Sequence, residues 1–154
     1  MALYTIETSQ SFPAELSRVW DFISSPANLK IITPPGMDFN IITKDLPEKM
    51  YPGMIIAYKL KPLPGFRTTW VTEITHAEHH NYFIDEQRIG PYKFWHHLHR
   101  LKSIPGGVLM EDIINYRLPN GILGSITHAL FVRKQLKNIL EFRRSKLEEI
   151  FGKI

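Results

Sequence analysis

Apolar and polar positions alternate from the first residues of the chain. Over residues 3–10, Leu-Tyr-Thr-Ile-Glu-Thr-Ser-Gln, the two-residue period and the β-branched side chains predict a strand. The period then changes. Ser11-Phe12-Pro13-Ala14-Glu15 reads as a helix start, with proline in the first turn and an acid close behind. Leu16, Val19, Trp20 and Ile23 follow at i, i+3, i+4 and i+7, one apolar helical face. Ser24-Ser25-Pro26 stops it, and residues 26–32 predict a second short helix ended by Thr33-Pro34-Pro35-Gly36. From Met37 to Leu118 turn signals recur, at Pro47, Pro52-Gly53, Pro62 to Gly65, His79-His80-Asn81, Gly90-Pro91 and Pro105-Gly106-Gly107. The runs between them are rich in Ile, Thr, Tyr, Trp and Phe, which predicts six strands in an antiparallel meander. Pro119-Asn120-Gly121 closes the meander. The proline-free remainder predicts one long helix over residues 125–151.

Strand, two short helices, six strands and a long helix give an α+β class. Elements in this order can wrap a curved antiparallel sheet around the C-terminal helix, leaving a cavity between them wherever side chains do not fill it.

The last helix carries an anomaly. With Leu136 as the reference direction and 100° per residue, Val132, Ile139, Leu140, Leu147, Ile150 and Phe151 fall within about 60° of it. Arg143 falls about 20° away, in the middle of this apolar stripe. Either it snorkels past the core edge to water, or its guanidinium meets a buried carboxylate, because an unpaired buried cation is too costly. Asp112 is the first candidate partner, with Asp85 and Glu86 as the others.

The strand patterns supply these partners. Residues 107–118 present Met110, Asp112, Ile114, Tyr116 and Leu118 on one face, the more apolar one. Residues 94–101 split into Trp95, His97, His99 and Leu101 against Phe94, His96, Leu98 and Arg100. An even-numbered loop at Gly106-Gly107 sets the Trp95–His97–His99 face beside the Met110–Asp112–Tyr116 face. An odd loop would set Arg100 opposite Asp112, since a one-residue slip reverses a whole face. The even loop is the preferred reading. Trp70, Thr72 and Ile74 form the expected inner face of residues 68–75. For residues 82–89 hydrophobicity does not choose between Phe83, Asp85, Gln87 and Tyr82, Ile84, Glu86, Arg88.

His97-Leu98-His99 places two imidazoles on one face. With Asp112 or Asp85 nearby, they could form a two-His-one-carboxylate metal site. Spacing fixes no third ligand, however, so polar wall residues are the preferred reading, with no metal and no cofactor expected. His76, His79 and His80 cluster at a turn and read as solvated.

Composition narrows the classes. The chain has 154 residues, 44% hydrophobic and 22% charged, as expected of one globular domain spanning residues 1–154. It has no cysteine, which excludes disulfides, thiolate catalysis and cysteine-ligated metal. Nineteen Lys and Arg against fifteen Asp and Glu leave a net charge of only +4. Apart from Arg143, the basic residues at 133–146 read as a solvated helix face, so no nucleic acid is expected. The N-terminal residues lack the basic and apolar regions of a signal peptide, and no apolar run approaches the roughly 18 residues of a membrane span. A cytoplasmic protein without stable membrane insertion is the expectation; the oligomeric state stays open.

The sequence also resembles the START-like, or SRPBCC, superfamily, closest to its bacterial single-domain ligand-binding branch, labelled cyclase/dehydrase-like and in some relatives cell division inhibitor. The resemblance covers nearly the whole chain. It is carried by Phe12-Pro13-Ala14-Glu15 with Val19-Trp20, by Asn28-Leu29 and Thr33-Pro34-Pro35, and by Asp85-Glu86-Gln87, Gly90-Pro91-Tyr92 and Trp95-His96-His97-Leu98-His99. Gly106-Gly107, Glu111-Asp112 and Phe142-Arg143-Arg144 complete it. It implies a helix-grip fold, a seven-stranded antiparallel sheet gripping the C-terminal helix around a cavity for an apolar or aromatic small molecule. The iron-ligand pattern of the family's hydroxylases is not matched.

The first functional reading is therefore binding of a hydrophobic small molecule, such as a lipid, a quinone or a polyketide-like compound. Trp70, Trp95, Met110 and Tyr116 would supply the walls. Asp85, Gln87, His97, His99, Asp112 and Arg143 would orient a carbonyl or hydroxyl. The second is a cyclase or dehydratase with His97 or His99 as general base and Asp112 holding the imidazole. The third is a protein-contact module without a ligand.

Overall fold

The structure, a computed structural model, describes residues 2–63, 65–119 and 126–154. Seven strands form one antiparallel sheet: β1 (Tyr4–Phe12), β2 (Asn40–Ile41), β3 (Ile55–Leu63), β4 (Phe66–Glu78), β5 (Tyr82–Ile89), β6 (Phe94–Ile104) and β7 (Gly107–Arg117). Their order across the sheet is β1-β7-β6-β5-β4-β3-β2. Every neighbour pair except β1–β7 is consecutive in the chain, as the recurring turn signals require. Helix α1 (Leu16–Ile23) and two 3-10 turns (Pro26–Lys30 and Pro35–Met37) connect β1 to β2, and α2 (Ile126–Phe151) follows β7.

Boundaries differ from the sequence reading at the N-terminus. β1 continues through Phe12, because it pairs with β7 up to Phe12 opposite Val108. The helix consequently starts at Leu16 rather than near Ser11, with Pro13 and Ala14 in the bend between. The expected second helix is a 3-10 segment, and Pro35-Gly36 starts another short turn instead of simply ending it. Residue 125, where α2 was expected to begin, lies outside the described residues.

β4 bends the sheet around α2. Its pairing with β5 shifts register twice, between Val71 and Thr72 and between Ile74 and His76. Such bulges bend a strand and increase its twist. The β6–β7 hairpin closes through the two residues Pro105-Gly106, with Ile104 opposite Gly107, and Gly106 takes the positive φ of 82° that glycine accepts at no steric cost. The loop is even, so His99 lies opposite Asp112 and Trp95 opposite Tyr116 on the inner face.

The apolar stripe of α2 packs on that face in two separate clusters. Leu147 and Phe151 join Phe12, Val19, Ile23, Ile74, Leu101 and Met110. Val132, Leu136 and Leu140 join Ile6, Trp70, Trp95, Ile114 and Tyr116. Between the two runs a belt of polar residues. On each element polar residues separate the clusters: Thr72 between Trp70 and Ile74, His97 and His99 between Trp95 and Leu101, Asp112 between Met110 and Ile114, and Arg143 between Leu140 and Leu147.

Candidate functional site

The belt is built by register. Asp85 on β5 lies opposite His97 on β6, and His99 lies opposite Asp112 on β7. This settles the choice that hydrophobicity left open on β5: Phe83 is buried and Asp85 turns inward with it, while Glu86 faces outward to Arg88. The two imidazoles, 3.7 Å apart between ring centroids, are clamped between two carboxylates. Asp112 Oδ1 receives His97 Nε2 at 3.0 Å and His99 Nδ1 at 2.8 Å. Asp85 Oδ2 lies 2.7 Å from His99 Nε2 and 3.5 Å from His97 Nδ1. The indole N–H of Trp95 donates to Asp85 Oδ1 at 3.2 Å, and Phe83 stacks on His99 with centroids 4.2 Å apart.

A carboxylate oxygen only accepts, so the nitrogens on Asp112 carry the hydrogens. Burial opposes charge on His99, but its bonds to Asp112 and Asp85 outweigh this and raise its pKa above the usual value. His97 goes the other way: burial, then the charge of His99, lower it to about 4. Burial also works against the two carboxylates, yet His97 and His99 outweigh it and hold both below the ordinary range. Two carboxylates thus face two imidazoles and the Arg143 guanidinium, and the opposed shifts make His99 the more readily protonated of the two rings.

Arg143 does reach Asp112, but only as an ion pair. Nη1 lies 3.9 Å from Asp112 Oδ1, an ionic separation and too long for a hydrogen bond. The oxygen it would use is already occupied by both histidines. Arg143 Nε is buried without a hydrogen-bond partner among the described residues.

Above the belt is a chamber of about 140 Å³, lined by Trp70, Thr72, Phe83, Asp85, Trp95, His97, His99, Met110 and Arg143, and also by Tyr58, Ile56, Leu60 and Ile139. An outer groove of about 330 Å³ shares Met37, Leu60, Trp70 and Ile139 with it and adds Pro62, Phe66, Tyr92, Leu118 and Val132. Three expected site residues sit elsewhere. Tyr116 packs behind the chamber, stacked on Tyr4 and edge-on to Tyr92. Gln87 braces the following turn, donating to Tyr92 O at 2.7 Å and accepting from Tyr92 N at 3.1 Å. Asp112 faces a separate recess of about 230 Å³ between α2 and β1, so the pair Asp112–Arg143 separates recess from chamber.

Sequence reasoning passed over Tyr58, whose hydroxyl lies 2.9 Å from Thr72 Oγ1; Trp70 Nε1 donates to the same Thr72 oxygen at 3.0 Å. The alternation Ile56-Tyr58-Leu60 on β3 was the available signal. Burial raises the Tyr58 pKa far above the ordinary phenol value, so its hydroxyl stays protonated and able to donate.

Comparison with known proteins gives the fold a wider setting. No family model matches the chain, and no curated protein matches it in sequence. Solved structures do match in shape. A protein from Thermus thermophilus aligns at a TM-score of 0.72 and 16% identity, over 95% of both chains. Ginseng major latex-like protein 151 from Panax ginseng aligns at 0.69 and 12% identity, over 97% of both. A Mycobacterium smegmatis protein aligns at 0.68 and 16% identity, over 97% of this chain and 96% of its own. The chain has the helix-grip fold. At these identities the likeness extends to architecture and no further. Among the described residues, no helix is long and apolar enough to cross a membrane.

Proposed function

We propose that the protein binds an apolar or aromatic small molecule, of the lipid, quinone or polyketide-like kind, between the sheet and α2. The observation that carries this reading is the chamber itself: aromatic and aliphatic walls converge on one buried polar belt, the composition a pocket needs to hold and orient such a ligand. At about 140 Å³ the chamber suits a single small ring, since a cavity of about 150 Å³ holds a benzene. A larger ligand would extend past Trp70 and Ile139 into the outer groove. A carbonyl or hydroxyl on the ring would lie against Thr72, His97 or Arg143.

Native mass spectrometry of freshly purified protein is expected to show a non-covalent adduct. The fluorescent apolar probe 8-anilinonaphthalene-1-sulfonate is expected to bind at one molecule per chain. Replacing Ile139 by Trp, at the shared wall, should weaken the probe at least tenfold. A folded wild-type protein with neither adduct nor saturable probe binding refutes the reading and favours the protein-contact module.

One observation supports a cyclase or dehydratase as a second reading. With Nε2–H committed to Asp112, His97 keeps an unprotonated Nδ1 on the chamber wall, the form a general base requires. Turnover of an aromatic polyketide mimic, lost in His97→Ala, is the result this reading expects.

A further inference from the structure

The polar belt has a property that ligand orientation does not need. Both histidines commit one nitrogen to a single oxygen, Asp112 Oδ1, at 3.0 and 2.8 Å. This fixes both tautomers of the neutral rings and turns the remaining nitrogens, His97 Nδ1 and His99 Nε2, toward one other oxygen, Asp85 Oδ2. Two lone pairs facing a carboxylate oxygen repel one another unless a cation lies among them. A proton on His99 bridges the 2.7 Å gap to Asp85. With its Nε2–H on Asp112, His97 presents Nδ1 as a lone pair 3.5 Å from the same oxygen. One metal ion satisfies all three atoms together.

We propose that Asp85 Oδ2, His97 Nδ1 and His99 Nε2 form a mononuclear site for a divalent first-row transition metal, with its open coordination positions toward the chamber. One ligand atom from each of the three residues lies within 4.8 Å of the others. Ligands held at about 2.0–2.2 Å from an ion stand roughly 3–3.5 Å apart around it, so small side-chain shifts suffice. The donor set, two imidazoles and a carboxylate without thiolate, suits zinc, cobalt, nickel, manganese or ferrous iron and excludes a preference for copper(I). The outer sphere is present for every ligand. Metal-bound imidazoles donate their far N–H to a carboxylate, and Asp112 takes both. Asp85 has its second oxygen fixed by the Trp95 indole.

All three ligands stand on paired strands, where the register of β5 with β6 holds them. The expectation of a poor site rested on a missing third ligand, and the β5–β6 register supplies it. The proposal does not rest on the cavity-ligand reading, and it competes with His97 as a base, because the metal would take the same lone pair.

The test uses the whole protein, stripped with a chelator and dialysed, then titrated with Co2+ and Zn2+ alone. One equivalent of metal per chain is expected by calorimetry, with the Co2+ form showing visible d–d absorption. Asp85→Asn and His99→Ala should each weaken binding at least 100-fold. Asp112→Asn should weaken it about 10–100-fold at unchanged stoichiometry, the loss expected of an outer-sphere partner. His79→Ala, at the distant His79-His80 turn, should change nothing. If His99→Ala does not fold, near-isosteric Asp85→Asn still decides. A folded wild-type chain that takes up no stoichiometric metal overturns the proposal. So does uptake that survives Asp85→Asn and His99→Ala, or that His79→Ala abolishes.

Discussion

Changing Asp112 to Asn removes one negative charge from the belt while keeping its shape and one acceptor oxygen. Three groups feel the loss: His97 at 3.0 Å, His99 at 2.8 Å and Arg143 at 3.9 Å. At 3.9 Å and an effective dielectric of 20, the attraction between Arg143 and the carboxylate is about 4 kcal/mol before desolvation. The two hydrogen bonds each weaken by about 1 kcal/mol when their acceptor becomes neutral. Desolvation of the carboxylate, which Asn escapes, offsets part of this, so the net cost falls at about 3–5 kcal/mol, the range for breaking a buried ion pair. For a chain of this length that lowers Tm by roughly 6–20 °C.

Arg143→Met should cost less, about 1–2 kcal/mol. The same attraction is lost, but methionine escapes the cost of desolvating a cation and refills the space of the stem, and Asp112 keeps both histidines. Arg144→Met should cost under about 1 kcal/mol, because its partners, Ser9 O and Glu148, are at the surface. The double change Arg143→Met with Asp112→Asn should fall short of the sum by about 1–2 kcal/mol, since each removes the other's uncompensated charge. Urea and thermal melts of the four variants measure this. An Asp112→Asn melting point within about 2 °C of wild type, or a larger loss for Arg143→Met than for Asp112→Asn, refutes the electrostatic account of the belt.

Other perturbations probe the scaffold. A Cβ on Gly107 would collide with the Phe12 carbonyl oxygen, so Gly107→Ala should lose roughly 2–4 kcal/mol in urea unfolding, while Gly36→Ala, with open space around it, stays within about 0.5 kcal/mol. Leu147 is fully buried on the sheet-facing side of α2 and its change to Ala should cost about 2–5 kcal/mol, against under about 0.5 for exposed Leu130. Gln87→Ala removes both bonds that hold the Gly90–Tyr92 turn. It should cost about 1–2 kcal/mol and shift the amide resonances of Gly90 and Tyr92; unchanged resonances would remove its bracing role.

The order of elements, the inner faces of β4, β6 and β7, and the apolar stripe of α2 were legible because each is a periodicity, and periodicity is local. The partner of Arg143 was legible only as far as its identity. Arg143 and Asp112 do face one another, but one carboxylate oxygen cannot serve two histidines and a guanidinium at bonding distance, and that competition appears only once the strands are paired. The inward turn of Asp85 was invisible for a similar reason. On β5 the two faces are equally polar in sequence, and the choice is made by Phe83 joining the core beside Trp20. Alternation with Asp85 groups Gln87 with the residues expected to orient a ligand. It lies past the inward run of β5, where the chain needs a side chain to close its turn.

Asp85, His97, His99, Asp112 and Arg143 stand on regular elements, and no loop contributes to the belt. Many binding sites are assembled from loops, where insertions are absorbed cheaply. Here the rule for inherited change is different. The Pro105-Gly106 turn can change its residues freely within what its backbone permits, and two residues could be added while keeping the parity of the hairpin. A single-residue insertion acts on β7 beyond it as a frameshift acts on codons: Glu111 would face the interior where Asp112 stands, and the belt would lose its shared acceptor without one substitution in a strand.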